Sequence, residues 1–193
     1  MPEFAELWDF IVKRSHDACI PVVQDRTELE HVFNLLLGCN SYLEIGTAEG
    51  NSLFVLAQAM PKGSEIAYVD FGEPHTTTHR NAVLDRLANY KITAVHGDSN
   101  DFKTRQKVFN CKTPPQLFYD AILIDAGHDS MNAAIDAYHY GVLAQKYIIF
   151  HDIQLPEVRR AYDWYCRQRP ECRNYTVINS ETYGFGIIEV KNG

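Results

Sequence analysis

Short apolar segments alternate with helical patterns along most of this chain, and the alternation restricts its fold more than any other feature. Five of these segments have the length and composition of β-strands: 42–45, 66–70, 92–96, 119–125 and 147–150. They recur at the spacing of one strand and one helix, which favours a parallel sheet. Segments 121–124 and 147–150 are apolar at every position, as is typical of strands covered by helices on both faces.

The C-terminal part of the chain departs from this pattern. Segments 174–178 and 184–190 also read as strands, and only a short polar loop around 179–182 lies between them. No crossover helix fits into that loop, so the two strands must pair as an antiparallel hairpin. The sequence therefore predicts an α/β fold in which helices cover both faces of a parallel sheet and one reversed strand closes it.

Three apolar stripes at helical spacing predict helices, and we expect all three stripes to pack in the core. They comprise Phe4, Leu7, Trp8 and Ile11; Met131, Ala134, Ile135, Tyr138 and Val142; and Val158, Ala161, Tyr162 and Tyr165. The sequence Thr-Glu-Leu-Glu at 27–30 is typical of a capping box and predicts a further helix that reaches about Leu37.

Segment 41–52, Ser-Tyr-Leu-Glu-Ile-Gly-Thr-Ala-Glu-Gly-Asn-Ser, runs from the first predicted strand through a turn into a helix. A parallel sheet presents a helix N-terminus to a nucleotide-like ligand in this way. Gly46 and Gly50 allow a tight turn and a close approach to a ligand, and Asn51 and Ser52 are suitable helix caps. The spacing differs from the G-x-G-x-x-G of dinucleotide-binding proteins, and an ordinary strand-to-helix turn is the competing interpretation.

Acidic residues recur at or just beyond the ends of the first five strands: Glu44, Asp70, Asp98, Asp125 and Asp152. Ligands bind at the carboxyl ends of parallel strands, and carboxylates crowded there repel each other unless each has a partner. Asp70 could accept both hydroxyls of a ribose, or it could be a surface cap. Asp98 or Ser99 could bond an adenine edge, and Ser99 could equally cap the next helix.

These motifs, taken in order, resemble those of the class I S-adenosylmethionine (SAM)-dependent methyltransferases. The resemblance lies in segments 43–50, 68–70, 97–99, 119–125 and 148–152, and it spans roughly residues 40–190. Segments 124–128 and 150–152 are most similar to the small-molecule O-methyltransferases of the macrolide-sugar and catechol type. The resemblance implies a Rossmann-like, seven-stranded sheet of order 3-2-1-4-5-7-6, with strand 7 antiparallel.

The resemblance also implies roles for individual residues. It places the methionine end of SAM against Glu44, Gly46, Thr47 and Gly50, with Asn51 and Ser52 close by. It places the ribose at Asp70 and the adenine at Asp98 and Ser99, and we expect Asp125 to border the cofactor too. The chain would form one methyltransferase domain, in which an N-terminal helical cap (1–38) covers a cofactor-binding core (39–193) and shapes the acceptor pocket.

Methyl transfer to a hydroxyl requires an acceptor held in line with the sulfonium and a group that removes the proton. Strands 4 and 5 are expected to be neighbours about 4.8 Å apart, so Asp125 and Asp152 should meet. Two facing carboxylates need a proton or a cation between them, and Mg²⁺ or another divalent metal would also lower the pKa of the acceptor hydroxyl. His128, one turn beyond Asp125, is the predicted general base; the alternative is a helix-start residue bonded to backbone.

His151 departs from the pattern of the metal-dependent members of this branch, which usually carry an acid-acid or acid-amide pair at the end of strand 5. Imidazole suits zinc, iron or nickel better than magnesium. The sequence leaves three interpretations open: His151 points elsewhere, the metal differs, or no metal binds.

Composition limits the classes of binding partner and the cellular location that we expect for this protein. A net charge of −7 without a lysine-arginine run argues against nucleic acid, and no apolar stretch reaches membrane-spanning length. The five scattered cysteines lack a Cys-x-x-Cys motif, and the acidic N-terminus lacks the basic region of a signal peptide, so we expect a cytoplasmic protein. No large lid insertion is evident, which leaves room for a second subunit to complete the acceptor pocket and predicts a homo-oligomer.

The favoured function is methyl transfer from SAM to a hydroxyl of a small molecule whose identity the sequence does not specify. A second hypothesis is a metal-dependent oxygenase or hydrolase built on Asp125, His128 and either His151 or Asp152. A third is a non-catalytic module that keeps the cofactor-binding fold. Tight binding of S-adenosylhomocysteine (SAH) would favour the first, and iron-dependent oxygen consumption the second.

Overall fold

A computed structural model describes residues 3–18, 22, 24–72, 74–111, 118–179 and 183–191, with the backbone alone at 74–76. The helices are α1 (Phe4–Ala18), α2 (Arg26–Leu35), α3 (Asn51–Ala57), α4 (Pro74–Leu84), α5 (Phe102–Asn110), α6 (Ser130–Tyr140) and α7 (Pro156–Gln168). The strands are β1 (Ser41–Ile45), β2 (Glu65–Asp70), β3 (Lys91–His96), β4 (Tyr119–Ile124), β5 (Ala144–Phe150), β6 (Arg173–Val177) and β7 (Phe185–Glu189).

These strands form one sheet in the order β3-β2-β1-β4-β5-β7-β6. β1 to β5 pair in parallel, whereas β7 runs antiparallel to both β5 and β6. The predicted fold class, strand order and reversed strand are confirmed. Ile45 lies level with Val69 of β2 and Ile124 of β4, and Ile124 is level with Phe150. The carboxyl ends of these four strands therefore meet at one edge.

The core consists of two apolar clusters, one on each face of the sheet. Tyr42 belongs to the cluster shared with α1, α2 and α3, and its neighbour Leu43 belongs to the cluster shared with α6 and α7. Successive side chains of a strand point to opposite faces, so this division follows directly from the strand geometry. All six residues of β4 are buried, which explains the uninterrupted apolar run predicted for a central strand.

Most of the apolar stripe of α6 does not pack in the core, so that prediction is wrong, although Ala134 is partly buried against the core. Met131 is 67% exposed and Tyr138 is 61% exposed, and Val142, just beyond the helix, is also exposed. The stripe residues of the helix itself line a surface groove of about 500 Å³ together with Ala161 and Trp164. The opposite face of α6 is buried: Ala133, Ala137 and Tyr140 pack in the core, and Asp136 lies beside them. The stripes of α1 and α7 do pack as predicted, with Trp8 partly buried.

α2 begins earlier than predicted, and a different residue caps its N-terminus. Its N-cap is Asp25, whose Oδ1 accepts hydrogen bonds from the amides of Thr27 (2.9 Å) and Glu28 (3.1 Å), so the predicted capping box is wrong. Glu28 is fully buried and accepts the amides of Asn179 and Gly184 instead. This carboxylate therefore ties α2 to the hairpin formed by β6 and β7.

None of the helices in the described ranges has the length and apolar character that a bilayer crossing requires.

Candidate functional site

The turn between β1 and α3, residues 46–50, is called the glycine loop below. Gly46 and Gly50 both have positive φ, at 86° and 81°, which favours glycine. A Cβ on Gly46 would lie 2.3 Å from the carbonyl oxygen of Asp125, so the loop passes directly over the end of β4. Gly50 is itself the N-cap of α3, so the interpretation of Asn51 and Ser52 as caps is wrong.

Glu44 lies behind the glycine loop and is fully buried. Its carboxyl group accepts hydrogen bonds from the hydroxyls of Tyr42 (2.6 Å) and Ser52 (2.8 Å). Burial raises the pKa of Glu44 to about 8, against the opposing effect of these hydrogen bonds. Glu44 therefore fixes the start of α3 to β1.

Asp70, at the end of β2, is bonded through both of its oxygens. Oδ2 accepts the amides of Thr47 (3.1 Å) and Ala48 (2.9 Å), and Oδ1 accepts the amide of Gly72 (2.8 Å). Oδ1 also lies 2.8 Å from Nη1 of Arg80, whose side chain is fully buried. Burial opposes ionisation, but the Gly72 amide and Arg80 outweigh it and lower the pKa of Asp70. Asp70 thus ties the glycine loop to β2.

Residues 97–100 follow β3 and are called the β3 loop. Asp98 is exposed and accepts the amide of Asn100, whereas Ser99 is buried and donates its hydroxyl to Asp136. The N-cap of α5 is Asp101, so the interpretation of Ser99 as a helix cap is wrong.

Two cavities open at the carboxyl edge of the sheet. The β2–β3 cavity has a volume of about 320 Å³ and is lined by Gly46, Ala48, residues 69–71, the β3 loop, residues 125–128 and Asn132. The β5 cavity has a volume of about 300 Å³ and is lined by Gln24, residues 47–52, Asp125, His128, His151, Asp152 and Tyr183. The two cavities share Ala48, Asp125 and His128.

Two histidines and two carboxylates meet where these cavities join. Nδ1 of His151 lies 2.9 Å from Oδ1 of Asp125 and 3.3 Å from Oδ1 of Asp152. Nδ1 of His128 lies 2.9 Å from Oδ2 of Asp152. The predicted meeting of Asp125 and Asp152 is thus observed, with an imidazole between them. The interpretation in which His151 points elsewhere is wrong.

The charged groups of this cluster shift the pKa values of one another. Burial opposes protonation of His151, but Asp125 and Asp152 outweigh it and raise the pKa of His151 to about 10. The hydrogen bond to Asp152 raises the pKa of His128. Burial would raise the pKa of Asp152, yet its bonds to His128 and His151 lower it strongly. At neutral pH the cluster therefore pairs an imidazolium with a carboxylate.

Asp125, His128 and Asp152 could also hold a metal ion. One donor atom from each lies within 4.8 Å of the other two, which fits the first coordination sphere of a divalent cation. The set combines one nitrogen with two oxygens, a mixture that suits manganese, iron or zinc as well as magnesium. The residues therefore fit the cation, although His151 lies between the same two carboxylates.

Several lining residues carried no sequence signal. Gln24, between α1 and α2, is 9% exposed, and its Oε1 finds no hydrogen-bond partner within the described ranges. Tyr183 stacks on His151, with ring centroids 6.1 Å apart. Phe71, which is 70% exposed, could have been suspected because it directly follows Asp70.

A sequence profile of the family described as methyltransferase domain matches residues 43–153, more than half of the chain. The chain belongs to this family. The matched region begins at Leu43 and ends at Ile153, so it contains the glycine loop, Asp70, the β3 loop and the Asp-His cluster. No curated protein matches the chain in sequence.

Solved methyltransferase structures share this fold. An O-methyltransferase from Bacillus cereus in complex with SAH is 21% identical, with a TM-score of 0.73 over 99% of this chain and 93% of that chain. An O-methyltransferase from Streptomyces achromogenes, involved in tomaymycin synthesis and solved with SAM, is 14% identical, with a TM-score of 0.68 over 97% and 91%. An SAH-bound methyltransferase from Podospora anserina is 14% identical, with a TM-score of 0.66 over 100% and 89%.

Proposed function

We propose that this methyltransferase transfers the methyl group of SAM to a hydroxyl of a small molecule. The observation that carries the proposal is the junction of the two cavities at Asp125 and His128. A donor bound across both cavities presents its methyl group at that junction, where an acceptor in the β5 cavity can approach it in line. Family membership favours methyl transfer over the oxygenase, hydrolase and non-catalytic alternatives.

The β2–β3 cavity is the proposed site of the adenosine end of SAM. The exposed ring of Phe71 offers a face for the adenine, and Asp98 an acceptor for its amino group. We assign the ribose to Asp70. A carboxylate has about four acceptor positions, and those of Asp70 are already taken by three amides and Arg80. A ribose hydroxyl must therefore displace one of these four donors. We expect it to displace an amide of the glycine loop, that of Thr47 or Ala48.

The methionine end of SAM is assigned to the glycine loop and the first turn of α3. Thr47, Gly50, Asn51 and Ser52 line the β5 cavity there, next to Asp125. Gly46 brings the loop backbone so close to the end of β4 that a Cβ added at this position would overlap the carbonyl group of Asp125. Glu44 does not need to contact the cofactor in this proposal, because it acts by holding Ser52 in place.

His128 is the proposed general base. Its Nδ1 bonds Asp152, so Nε2 is the nitrogen free to take a proton from the acceptor hydroxyl. With SAM bound, the acceptor oxygen would form its bond to the methyl carbon as the carbon–sulfur bond breaks, which would leave SAH as the neutral thioether, and Nε2 of His128 would take the hydroxyl proton. A divalent cation held by Asp125 and Asp152 would lower the pKa of that hydroxyl.

The remaining assignments concern the surroundings of the site. We propose one domain in which residues 1–38 cover the β5 cavity and shape the acceptor pocket, since Gln24 lines that cavity. A cytoplasmic location, a homo-oligomeric state and the lack of a nucleic-acid partner stay predictions from the sequence. A mass in solution of at least twice the 22.1 kDa of one chain would support the homo-oligomer.

Calorimetric titration of the full chain with SAH tests the cofactor assignment, and saturable binding is the expected result. Transfer of labelled methyl from SAM to a panel of catechols and hydroxylated sugars then tests the reaction. A folded protein with no affinity for SAM or SAH would overturn the proposal. Binding without transfer to any acceptor, including after addition of Mg²⁺, Mn²⁺ or Zn²⁺, would favour the non-catalytic alternative.

A further inference from the structure

The β3 loop lines the β2–β3 cavity on one side and contacts α6 on the other. Asn132, Asp136 and Tyr140 of α6 are spaced four residues apart and therefore lie on one face of the helix. Oδ1 of Asn132 accepts a hydrogen bond from Nδ2 of Asn100 (3.1 Å), and the Tyr140 hydroxyl donates to the carbonyl of Ser99 (2.8 Å). Between them, the Ser99 hydroxyl donates to Oδ2 of Asp136 (3.1 Å).

Asp136 is the unusual member of this face. Its side chain is fully buried, and its second oxygen, Oδ1, has no hydrogen-bond partner among the residues that the structure describes. A buried carboxylate with an unpaired oxygen is unfavourable, and an amide would accept the same bond from Ser99 without a charge. A carboxyl group at position 136 therefore has a property that is not needed to hold the β3 loop.

That property is titration near neutral pH. The pKa of Asp136 is raised to about 7, and burial is the largest cause. The negative charges of Asp98 and Asp129 act in the same direction, whereas the Ser99 hydroxyl and the positive charge of Arg105 oppose them. The carboxyl group is therefore neutral below about pH 7 and charged above it.

We propose that Asp136 is a positioning residue for the adenosine end of the cofactor, acting through the Ser99 hydroxyl to hold the β3 loop in its ligand-binding conformation. This inference rests on the proposed function, because it places an adenosine group in the β2–β3 cavity. The Ser99 hydroxyl bonds the ionised carboxylate more strongly than the neutral acid, because a hydrogen bond to a charged acceptor is the stronger one. The β3 loop is therefore held more firmly when Asp136 is charged. Ligand affinity increases as the pH rises through about 7.

The first test measures the coupling between Asp136 and Ser99. The full chain and its Asp136→Ala, Ser99→Ala and double variants are titrated with SAH, and with 5′-methylthioadenosine, which lacks the amino-acid end. Each single variant is expected to weaken both ligands by a similar factor of roughly three to ten, the effect of one hydrogen bond. The double variant should bind no more weakly than either single variant, because both changes remove the same contact.

The second test measures the pH dependence and uses Asp136→Asn, which keeps an acceptor for Ser99 but cannot ionise. The SAH dissociation constant of the wild-type protein should fall between pH 6 and pH 8 more steeply than that of Asp136→Asn. This variant and Ser99→Ala carry the test if Asp136→Ala does not fold. The matched control is Asp120→Asn, another buried acid at the opposite edge of the sheet, where it accepts the Asn40 amide and pairs with Lys146. It should leave SAH affinity unchanged.

Additive effects of Asp136→Ala and Ser99→Ala, or identical pH profiles for the wild-type protein and Asp136→Asn, would overturn this inference alone. A wild-type protein that binds SAH at no pH would contradict the proposed function itself, and the inference with it.

Discussion

Nδ1 of His128 and Oδ2 of Asp152 lie 2.9 Å apart, so one nitrogen of this half-exposed imidazole, which lines both cavities, is bonded to a carboxylate. The pairing fixes the ring orientation and makes Nε2 more basic. It also gives Asp152 a partner that the sequence did not predict, beside its predicted place in a metal site. The two predictions on turnover and its pH dependence depend on this pair.

Replacing His128 with Ala should decrease turnover by about two to four orders of magnitude, the usual contribution of a general base, because it removes the nitrogen proposed to receive the proton. SAH affinity should stay within a factor of two or so, since the glycine loop and the β3 loop are untouched. Single-turnover methyl transfer and SAH calorimetry measure the two effects. Unchanged turnover would exclude His128 as the base.

The pH profile of kcat/KM should follow the neutral form of His128. The Asp152 carboxylate raises the pKa of His128 above its ordinary value, so the acidic limb of the profile should lie above pH 6.5 and activity should increase through it. Asp152→Asn removes that negative charge and should move the limb to lower pH. A limb that stays in place in Asp152→Asn would contradict the pairing.

Replacing Arg80 with Met should lower the free energy of unfolding by about 3 kcal/mol or more. The Arg80 side chain is fully buried, and its loss leaves the carboxylate of Asp70 without a charged partner. SAH affinity should decrease as well, since Asp70 holds the glycine loop. Urea unfolding and calorimetry measure both. The matched control is Arg160→Ala, which breaks an exposed ion pair with Glu157 and should cost less than about 1 kcal/mol. Equal decreases in the free energy of unfolding of the two variants would show that the buried ion pair contributes no more to stability than the exposed one.

Gly46→Ala should be more destabilising than Gly38→Ala, although both glycines have similar positive φ. A Cβ at Gly38 meets nothing within 4 Å, so that variant measures only the backbone strain, about 1–2 kcal/mol. A Cβ at Gly46 meets the carbonyl of Asp125 and must displace the glycine loop or β4. Chemical denaturation compares the two, and equal losses would mean that the loop moves freely away from β4.

The sequence predicted the sheet because its signal is local. The run 121–124, apolar at every position, predicts a central strand, and the short connection before β7 excludes a crossover. The carboxyl ends of neighbouring parallel strands necessarily share one edge, so Asp70, Asp125 and Asp152 could be placed together from their positions after the strands. Periodicity and connection length predicted the parallel strands and the reversed one, whereas the order of the strands was implied by the resemblance to class I methyltransferases.

Only the tertiary structure decided which partner each of these side chains has. The apolar stripe through Met131 and Tyr138 predicted the wrong buried face of α6, because Asp136 and Tyr140 reach Ser99, about forty residues earlier in the chain. Arg80 pairs with Asp70, His151 lies between two carboxylates, and Gln24 lines the β5 cavity, each without a local signal. Periodicity reports the direction of a side chain relative to its own element. A hydrogen bond or ion pair depends on the distance between two elements, which exists only once the whole chain has folded.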